Sequence, residues 1–326
     1  MAWLCNGKTN AEFIRNLMQI RLFKRSNKES LLRVEKAMKA VDRAHYVLAE
    51  DTTDAYVNWP LVIGHGAVIS PPCMHAYAAD HLIPFLRPGA RVLDIGSGSG
   101  YLTAVLHHLV STYRAKATTM DPWKVVGTEN KPKVIKWSLD LLKEDTAGKQ
   151  TRRAVENKDI KVYPADGRLD LEDRRTPIKP GKIVGIEHVP ELVDWSLENF
   201  KKDKRTRRAV ERKDIEIHVG DGRLGYPLEG PYDAIHVGAG ASRIPKPLIE
   251  QLASPGRMFI PVGTLRNNLT IYHIDKDMQD RVTKTCIMAG VHYVPLSDRS
   301  NQQPFWIPTP RDLRFISWLR GEDNAI

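Results

Sequence analysis

The sequence predicts an α/β protein built on a doubly wound parallel sheet, and three observations predict it. A short apolar run at residues 91–95 enters a glycine turn. Apolar side chains at helical spacing follow at residues 101–110. Two further strand-like runs lie at residues 232–237 and 257–262, with helical patterns between the strands. Such alternation builds a parallel sheet covered by helices on both faces.

Residues 10–46 read as two helical stretches, because Phe13, Ile14, Leu17 and Ile20, then Leu31, Leu32, Val34, Met38 and Val41, recur near helical spacing. Residues 56–72 (YVNWPLVIGHGAVISPP) are rich in Pro, Gly and β-branched side chains, which predicts irregular or short extended structure. A helix is expected over 74–86, ending before Pro88-Gly89. The expected organisation is an N-terminal helical and loop extension at 1–88, a core at 89–302 and a tail at 303–326.

The core carries an internal repeat. Residues 124–145 match residues 182–203 at 10 of 22 positions, and residues 151–169 match 206–224 at 13 of 19. Each copy reads as strand, helix, basic segment, strand and an Asp-Gly-Arg-Leu turn, about half of a nucleotide-binding unit. Two copies are too few for a solenoid, so residues 124–181 read as a duplicated insertion within one domain. Only one copy can take the sheet position beside the glycine-loop strand.

At 326 residues, 42% of them apolar, the chain can bury a sizeable core. No run approaches the roughly 20 apolar residues of a membrane span, and the N-terminus lacks a secretory pattern, so a cytoplasmic protein without membrane partners is expected. Cys5, Cys73 and Cys286 are odd in number and widely spaced, which predicts reduced thiols and neither a disulfide framework nor a metal site. The net charge of +10 raises nucleic acid as a partner. The basic runs lack interleaved aromatics, however, and a solvated basic helix face accounts for residues 201–208 (KKDKRTRR), so no nucleic-acid partner is expected.

Residues 92–102 read VLDIGSGSGYL: an apolar strand, Asp94, then Gly96, Gly98 and Gly100. Glycines let the backbone turn sharply and let a ligand approach its N–H groups. A dinucleotide fingerprint wants its third glycine where Tyr101 stands, so the pattern suits S-adenosylmethionine better than a pyrophosphate. A nucleoside also needs an acidic residue at the end of the next strand to accept from the ribose hydroxyls. Glu187, in KIVGIEHVPELV, and its duplicate Glu129, in KVVGTENKPKVI, compete for this place. Glu129 stands at the more usual distance from the glycines. Against it, the second copy's EIHVGDGRLGY leads directly into the strand YDAIHVGAG, whereas the first copy has Pro164 inside its strand and runs into a charged segment. The reading favours Glu187 and Asp221 over Glu129 and Asp166.

With GIEHVPELV, GDGRLGY, PYDAIHVGA and IGHGAVISPPCMHAYA in place, the chain resembles the protein-L-isoaspartate O-methyltransferase family from its N-terminus through GVHYVPLSD, apart from the extra copy and the tail. The resemblance implies a Rossmann-like methyltransferase fold, S-adenosyl-L-methionine as cofactor, and isoaspartyl peptides and proteins as substrates of a monomeric enzyme. It implies that Ser70 contacts the substrate carboxylate, with Val68, Ile69, Val237 and Gly238 beside the substrate. It places His75, Asp94, Gly96, Ser97, Gly98, Gly100, Tyr101, Leu102, Glu187, His188, Asp221 and Gly222 around the cofactor. The family's Ile-Ser-Ala-Pro-His-Met-His stands here as residues 69–75, with Pro71 and Cys73 as departures. Methylation of a carboxylate asks for little apparatus, because an aspartyl-type carboxyl with a pKa of about 3.9 is already ionised at neutral pH. In-line positioning in a water-poor site supplies the acceleration. Two other readings fit the same residues: a methyltransferase for another substrate, and a homologue that binds the cofactor without turnover.

Overall fold

The computed structural model describes residues 5–24, 26–111, 161–162, 169–170, 180–263 and 269–296. The chain divides into two compact units, one formed by Met1–Thr112 with Pro180–Ile326, the other by Tyr113–Lys179.

The first unit opens with α1 (Asn10–Leu17) and α2 (Lys28–Ala40). Thr9 and Asn27 start them by accepting otherwise unpaired first-turn N–H groups. Phe13, Ile14, Leu17, Val34 and Met38 are fully buried, so the helical spacing does form one apolar face on each helix. The buried Asn10 side chain donates to the carbonyls of Met38 and Val41 and ties α1 to the end of α2. The segment expected to be irregular or extended forms an antiparallel hairpin, β1 (Leu61–Gly64) and β2 (Ala67–Ile69). Its turn holds His65 and Gly66 at positive φ.

The helix expected over 74–86 is α3, Pro72–Leu82, two residues earlier at its start and four shorter at its end. Pro72 opens it because the first helical position needs no N–H donor. It stops because Pro84 removes a donor, and a 3-10 turn, Ile83–Phe85, follows. Next come β3 (Arg91–Ile95) and α4 (Tyr101–Val110), as expected. Within Tyr113–Lys179 the described residues are two short antiparallel strands, β4 (Lys161–Val162) and β5 (Leu169–Asp170). Glu129, Pro164 and Asp166 lie outside the described residues.

The chain then forms β6 (Lys182–Glu187), α5 (Pro190–Lys201), α6 (Lys204–Glu211), β7 (Ile215–Val219), β8 (Tyr232–Val237), α7 (Lys246–Glu250), β9 (Leu252–Val262), β10 (Leu269–Lys276) and β11 (Val282–Val291). The basic run ends α5 and opens α6. Asp203 caps α6, Thr206 and Ala209 are buried, and Lys204, Arg207 and Arg208 stand in solvent.

One sheet of seven strands has the order β11-β10-β9-β8-β3-β6-β7, parallel from β7 to β9 and antiparallel beyond. β3 pairs with β6 on one side and β8 on the other, with Leu93 opposite Val184 and Ile235. These strands read as near-continuous apolar runs because helices cover both faces. The position beside the glycine-loop strand thus belongs to the repeat's second copy.

Two features differ from the sequence expectation. β9 begins at Leu252, five residues before the expected start, and its pairing with β8 shifts between Tyr232 and Ala234. That irregularity accommodates Ser254-Pro255-Gly256, whose proline has no N–H to give a ladder. The hairpin β10–β11 was not expected, although Leu269 and Ile271 alternate with partly exposed Thr270 and Tyr272 at strand period.

Candidate functional site

The carboxyl ends of β3, β6 and β8 converge where the sheet order reverses direction in sequence, the place where open α/β sheets bind ligands. The turn after β3 runs through Gly96, Gly98 and Gly100 at φ of 72°, 53° and 85°. These left-handed angles strain any residue with a Cβ. Gly96 N–H donates to the Ile186 carbonyl at 2.8 Å, which lashes the turn to β6.

Two adjoining cavities meet over this turn and share Val68, Gly96, Gly98 and Gly238. Ser70, His75, Asp94 and His236 line the first. Glu187, His188 and Gly222 line the second. The larger cavity between α5 and α6, against Trp195, Phe200 and Val210, holds none of the sequence-predicted residues.

Glu187 ends β6 with its carboxylate turned to the glycine turn. Its Oε2 accepts from Gly98 N at 3.0 Å, and its Oε1 from the backbone N of His188 at 2.8 Å and Val189 at 3.2 Å. Asp94 is buried in the first cavity's wall. Thr103 Oγ1 donates to its Oδ2 at 2.6 Å, and His236 Nδ1 lies 2.8 Å from its Oδ1. His75, on the first turn of α3, is buried 5.2 Å from the Tyr101 ring. Burial above all, then the charge of Arg43 and the proximity of His236, holds its imidazole well below the ordinary histidine range, so it is neutral. Ser70 is half-buried at the foot of β2, between Ile69 and Pro71.

Of the sequence-predicted residues, Val68, Ile69, Ser70, His75, Asp94, Gly96, Ser97, Gly98, Tyr101, Leu102, Glu187, His188, Gly222 and Gly238 line one cavity or the other. Three play a different part in the geometry. A Cβ on Gly100 would lie 2.6 Å from Phe200 Cζ, so this glycine serves close helix packing. Val237 is fully buried in the apolar cluster under the sheet. Asp221, at the end of β7, is held by Arg223 through both of its oxygens, Nε to Oδ1 at 2.9 Å and Nη2 to Oδ2 at 2.7 Å. This contact keeps its carboxyl below the ordinary range. Cys73 is buried, with its thiol pushed up to about 12 by burial. All three cysteines are free thiols. Sequence reasoning missed His236, although it sits in the very motif YDAIHVGAG that was read for its strand.

The site fits an amino-acid-linked nucleoside. Ser97 Oγ and His75 Nδ1 are buried without a hydrogen-bond partner, and both residues line the first cavity. Buried polar atoms are normally satisfied, so a pair left open beside a glycine turn is a place for a polar ligand. The wall is also cut to measure: a Cβ on Gly238 would lie 3.2 Å from the carbonyl oxygens of Ile95 and Gly96.

The profile of the family described as protein-L-isoaspartate(D-aspartate) O-methyltransferase matches residues 8–178 and again 175–301, so each match takes in one repeat copy. The chain is 37% identical over 272 residues to a protein-L-isoaspartate O-methyltransferase of Triticum aestivum, covering 83% of this chain and 86% of that one. It is 33% identical over 302 residues to the Caenorhabditis elegans enzyme of that name, covering 93% and 98%. A solved Plasmodium falciparum protein described as a protein-L-isoaspartate O-methyltransferase, in complex with S-adenosyl-L-homocysteine, superposes with a TM-score of 0.58 at 25% identity, over 89% of this chain and 99% of that one. On the profile, the relatives and the glycine-turn geometry together, this chain belongs to the protein-L-isoaspartate (D-aspartate) O-methyltransferase family.

Proposed function

We propose that the chain transfers the methyl group of S-adenosyl-L-methionine to the free carboxylate of isoaspartyl residues in damaged proteins, with Ser70 orienting that carboxylate. It is an S-adenosylmethionine-dependent protein carboxyl methyltransferase with a Rossmann-like fold. The observation that carries the site assignment is that Ser70 lines the same cavity as the glycine turn and the open Ser97 Oγ and His75 Nδ1.

When bound, the cofactor supplies an electrophilic methyl group on a sulfonium. The residues suited to hold it are Gly96, Ser97 and Gly98 with His75, and Glu187 as acceptor for the ribose hydroxyls. The Ser70 hydroxyl donates to one oxygen of the substrate carboxylate and leaves the other to attack. The acceptor needs no base, because it is ionised at neutral pH. A neutral His75 places no second positive charge beside a sulfonium. The β1–β2 hairpin excludes water: Ile63 Cδ1 stands 3.3 Å from where a Gly98 Cβ would be.

The test is methyl transfer to an isoaspartyl peptide and to its normal aspartyl counterpart. Transfer to the first alone supports the reading. Transfer to neither, by protein that binds the cofactor, refutes it.

A further inference from the structure

Arg43, in the VDRAHYV motif, enters the mechanism above only through the charge that helps keep His75 neutral, yet it is the largest fully buried side chain among the described residues. Among the described residues no carboxylate pairs with it. Its neighbour Asp42 is committed to Ala44 N–H and the Tyr56 hydroxyl. Its Nε and Nη1 have no hydrogen-bond partner. The guanidinium lies 5.4 Å from the Tyr101 ring centre, a favourable but partial compensation. Burying an unpaired cation is costly, and stability alone does not select for it.

What the guanidinium does hold is specific. Its Nη2 donates to the Ser70 carbonyl at 3.0 Å and to the Trp59 carbonyl at 3.3 Å. Ser70 directly follows β2, and Trp59 stands two residues before β1, so one nitrogen grips both feet of the hairpin. A second tie lies alongside, where Cys73 N–H donates to the buried Asn58 Oδ1 at 2.9 Å. The hairpin carries Val68 and Ile63 over the glycine turn and ends on Ser70.

We propose that Arg43 is a positioning residue: its guanidinium clamps both feet of the β1–β2 hairpin and thereby sets Ser70 against the glycine turn. The inference rests on the reading of Ser70 as the group that orients the substrate carboxylate. A planar fork that is always charged suits this task, since it donates in fixed directions that a lysine ammonium cannot reproduce.

The experiment is a double-mutant cycle in the full-length chain with Arg43→Met, Arg43→Lys, Ser70→Ala and the two double variants. It reads thermal unfolding, S-adenosylhomocysteine affinity, and kcat and KM on an isoaspartyl peptide. Arg43→Met removes the buried charge and is expected to unfold at or above the wild-type temperature, to keep cofactor affinity within about 3-fold, and to lose about 30-fold or more in kcat/KM. Arg43→Lys is expected to be slow as well. Adding Ser70→Ala to either variant is expected to cost no more than about 2-fold further, because the serine is already misplaced. Activity that falls only in step with the unfolded fraction overturns the proposal, as does failure of both Arg43 variants to fold. A slow Ser70→Ala enzyme whose cost adds in full to that of Arg43→Met overturns the Arg43 inference and leaves Ser70 standing. A wild-type rate in Ser70→Ala overturns the reading of Ser70 and the Arg43 inference with it.

Discussion

Gly98 N–H donates to Glu187 Oε2 across 3.0 Å, although 89 positions separate them in the chain. The other oxygen accepts from two backbone N–H groups at the start of α5, so three donors fix the carboxylate's orientation. A preset acceptor loses little freedom when a ligand arrives. Glu187→Ala is therefore expected to weaken S-adenosylhomocysteine binding by about 1.5–3 kcal/mol, the worth of hydrogen bonds to a charged group. That is on the order of 10- to 150-fold in Kd. Glu129→Ala is expected to change it little. Calorimetry on both variants decides, and a larger loss from Glu129→Ala would assign the nucleoside to the first copy.

Gly98→Val tests the turn itself. Its φ of +53° disfavours any side chain, and a Cβ there would sit 3.3 Å from Ile63 Cδ1, directly under the hairpin. The two γ-methyls of valine extend further into the space shared by both cavities. Loss of cofactor binding in a variant with wild-type circular dichroism is the expected outcome. Undiminished affinity would remove the turn from the site.

Local features of the sequence carried much of this. The apolar run before the glycines, the helical spacing after them and the uninterrupted strand of the second copy at Ile215–Val219 each depend on neighbours within about 20 residues, and each appears as read. What escaped depends on contacts distant in sequence. Nothing around residue 236 says that its imidazole meets a carboxylate 142 positions away. Nothing around residue 43 says that it holds two carbonyls on another segment. The β10–β11 hairpin shows an alternating pattern, but only pairing with β9 turns that pattern into part of the main sheet.

Asp94, Thr103 and His236 form a buried network in which both carboxylate oxygens are engaged. Removing either partner leaves a buried acceptor unsatisfied, at a cost of about 1–3 kcal/mol. His236→Ala and Thr103→Val are each expected to lower Tm by several degrees. Because they share Asp94, their joint effect is expected to depart from the sum by more than about 0.5 kcal/mol. Strict additivity in denaturant titrations would show that the network does not act as a unit.

Stability is expected to fall on mild acidification. Burial holds His81, His107 and His108 down to about 4, His273 to about 3, and His75 well below the ordinary range. The folded state keeps these rings neutral, whereas in the unfolded chain they bind protons below about 6.5. Where the unfolded state binds more protons, stability rises with pH. The stabilisation is therefore complete above about pH 6.5 and is lost progressively as pH falls from there towards 4. Urea midpoints at pH 7.5 and pH 5.5 measure it, and His273→Phe is expected to reduce the difference. Equal midpoints at the two pH values would contradict neutral burial of these rings.

The repeat yields the last prediction. Among the described residues, all seven strands of the main sheet come from before Val110 or after Gly181. The two points where the chain leaves and returns also touch. A Cβ on Gly181 would lie 2.4 Å from Val110 Cγ2 and 2.5 Å from the Val110 carbonyl oxygen. On either side of this contact, Gly89 N–H donates to the Val110 carbonyl and Lys182 N–H to the Ala90 carbonyl. A segment whose ends meet on one compact unit can be excised without stretching the chain. Removing residues 113–179 and joining Thr112 to Pro180 through two or three glycines and serines should restore an ordinary connection from α4 to β6. Glu187 and the glycine turn then stand in the usual sequence relation of a nucleoside site. The shortened enzyme is expected to unfold in one cooperative transition, to bind S-adenosylhomocysteine within a few-fold of the full chain, and to methylate an isoaspartyl peptide. Cooperative folding with loss of cofactor binding would show that residues 113–179 contribute to the pocket. Failure to fold would show that they are part of the core.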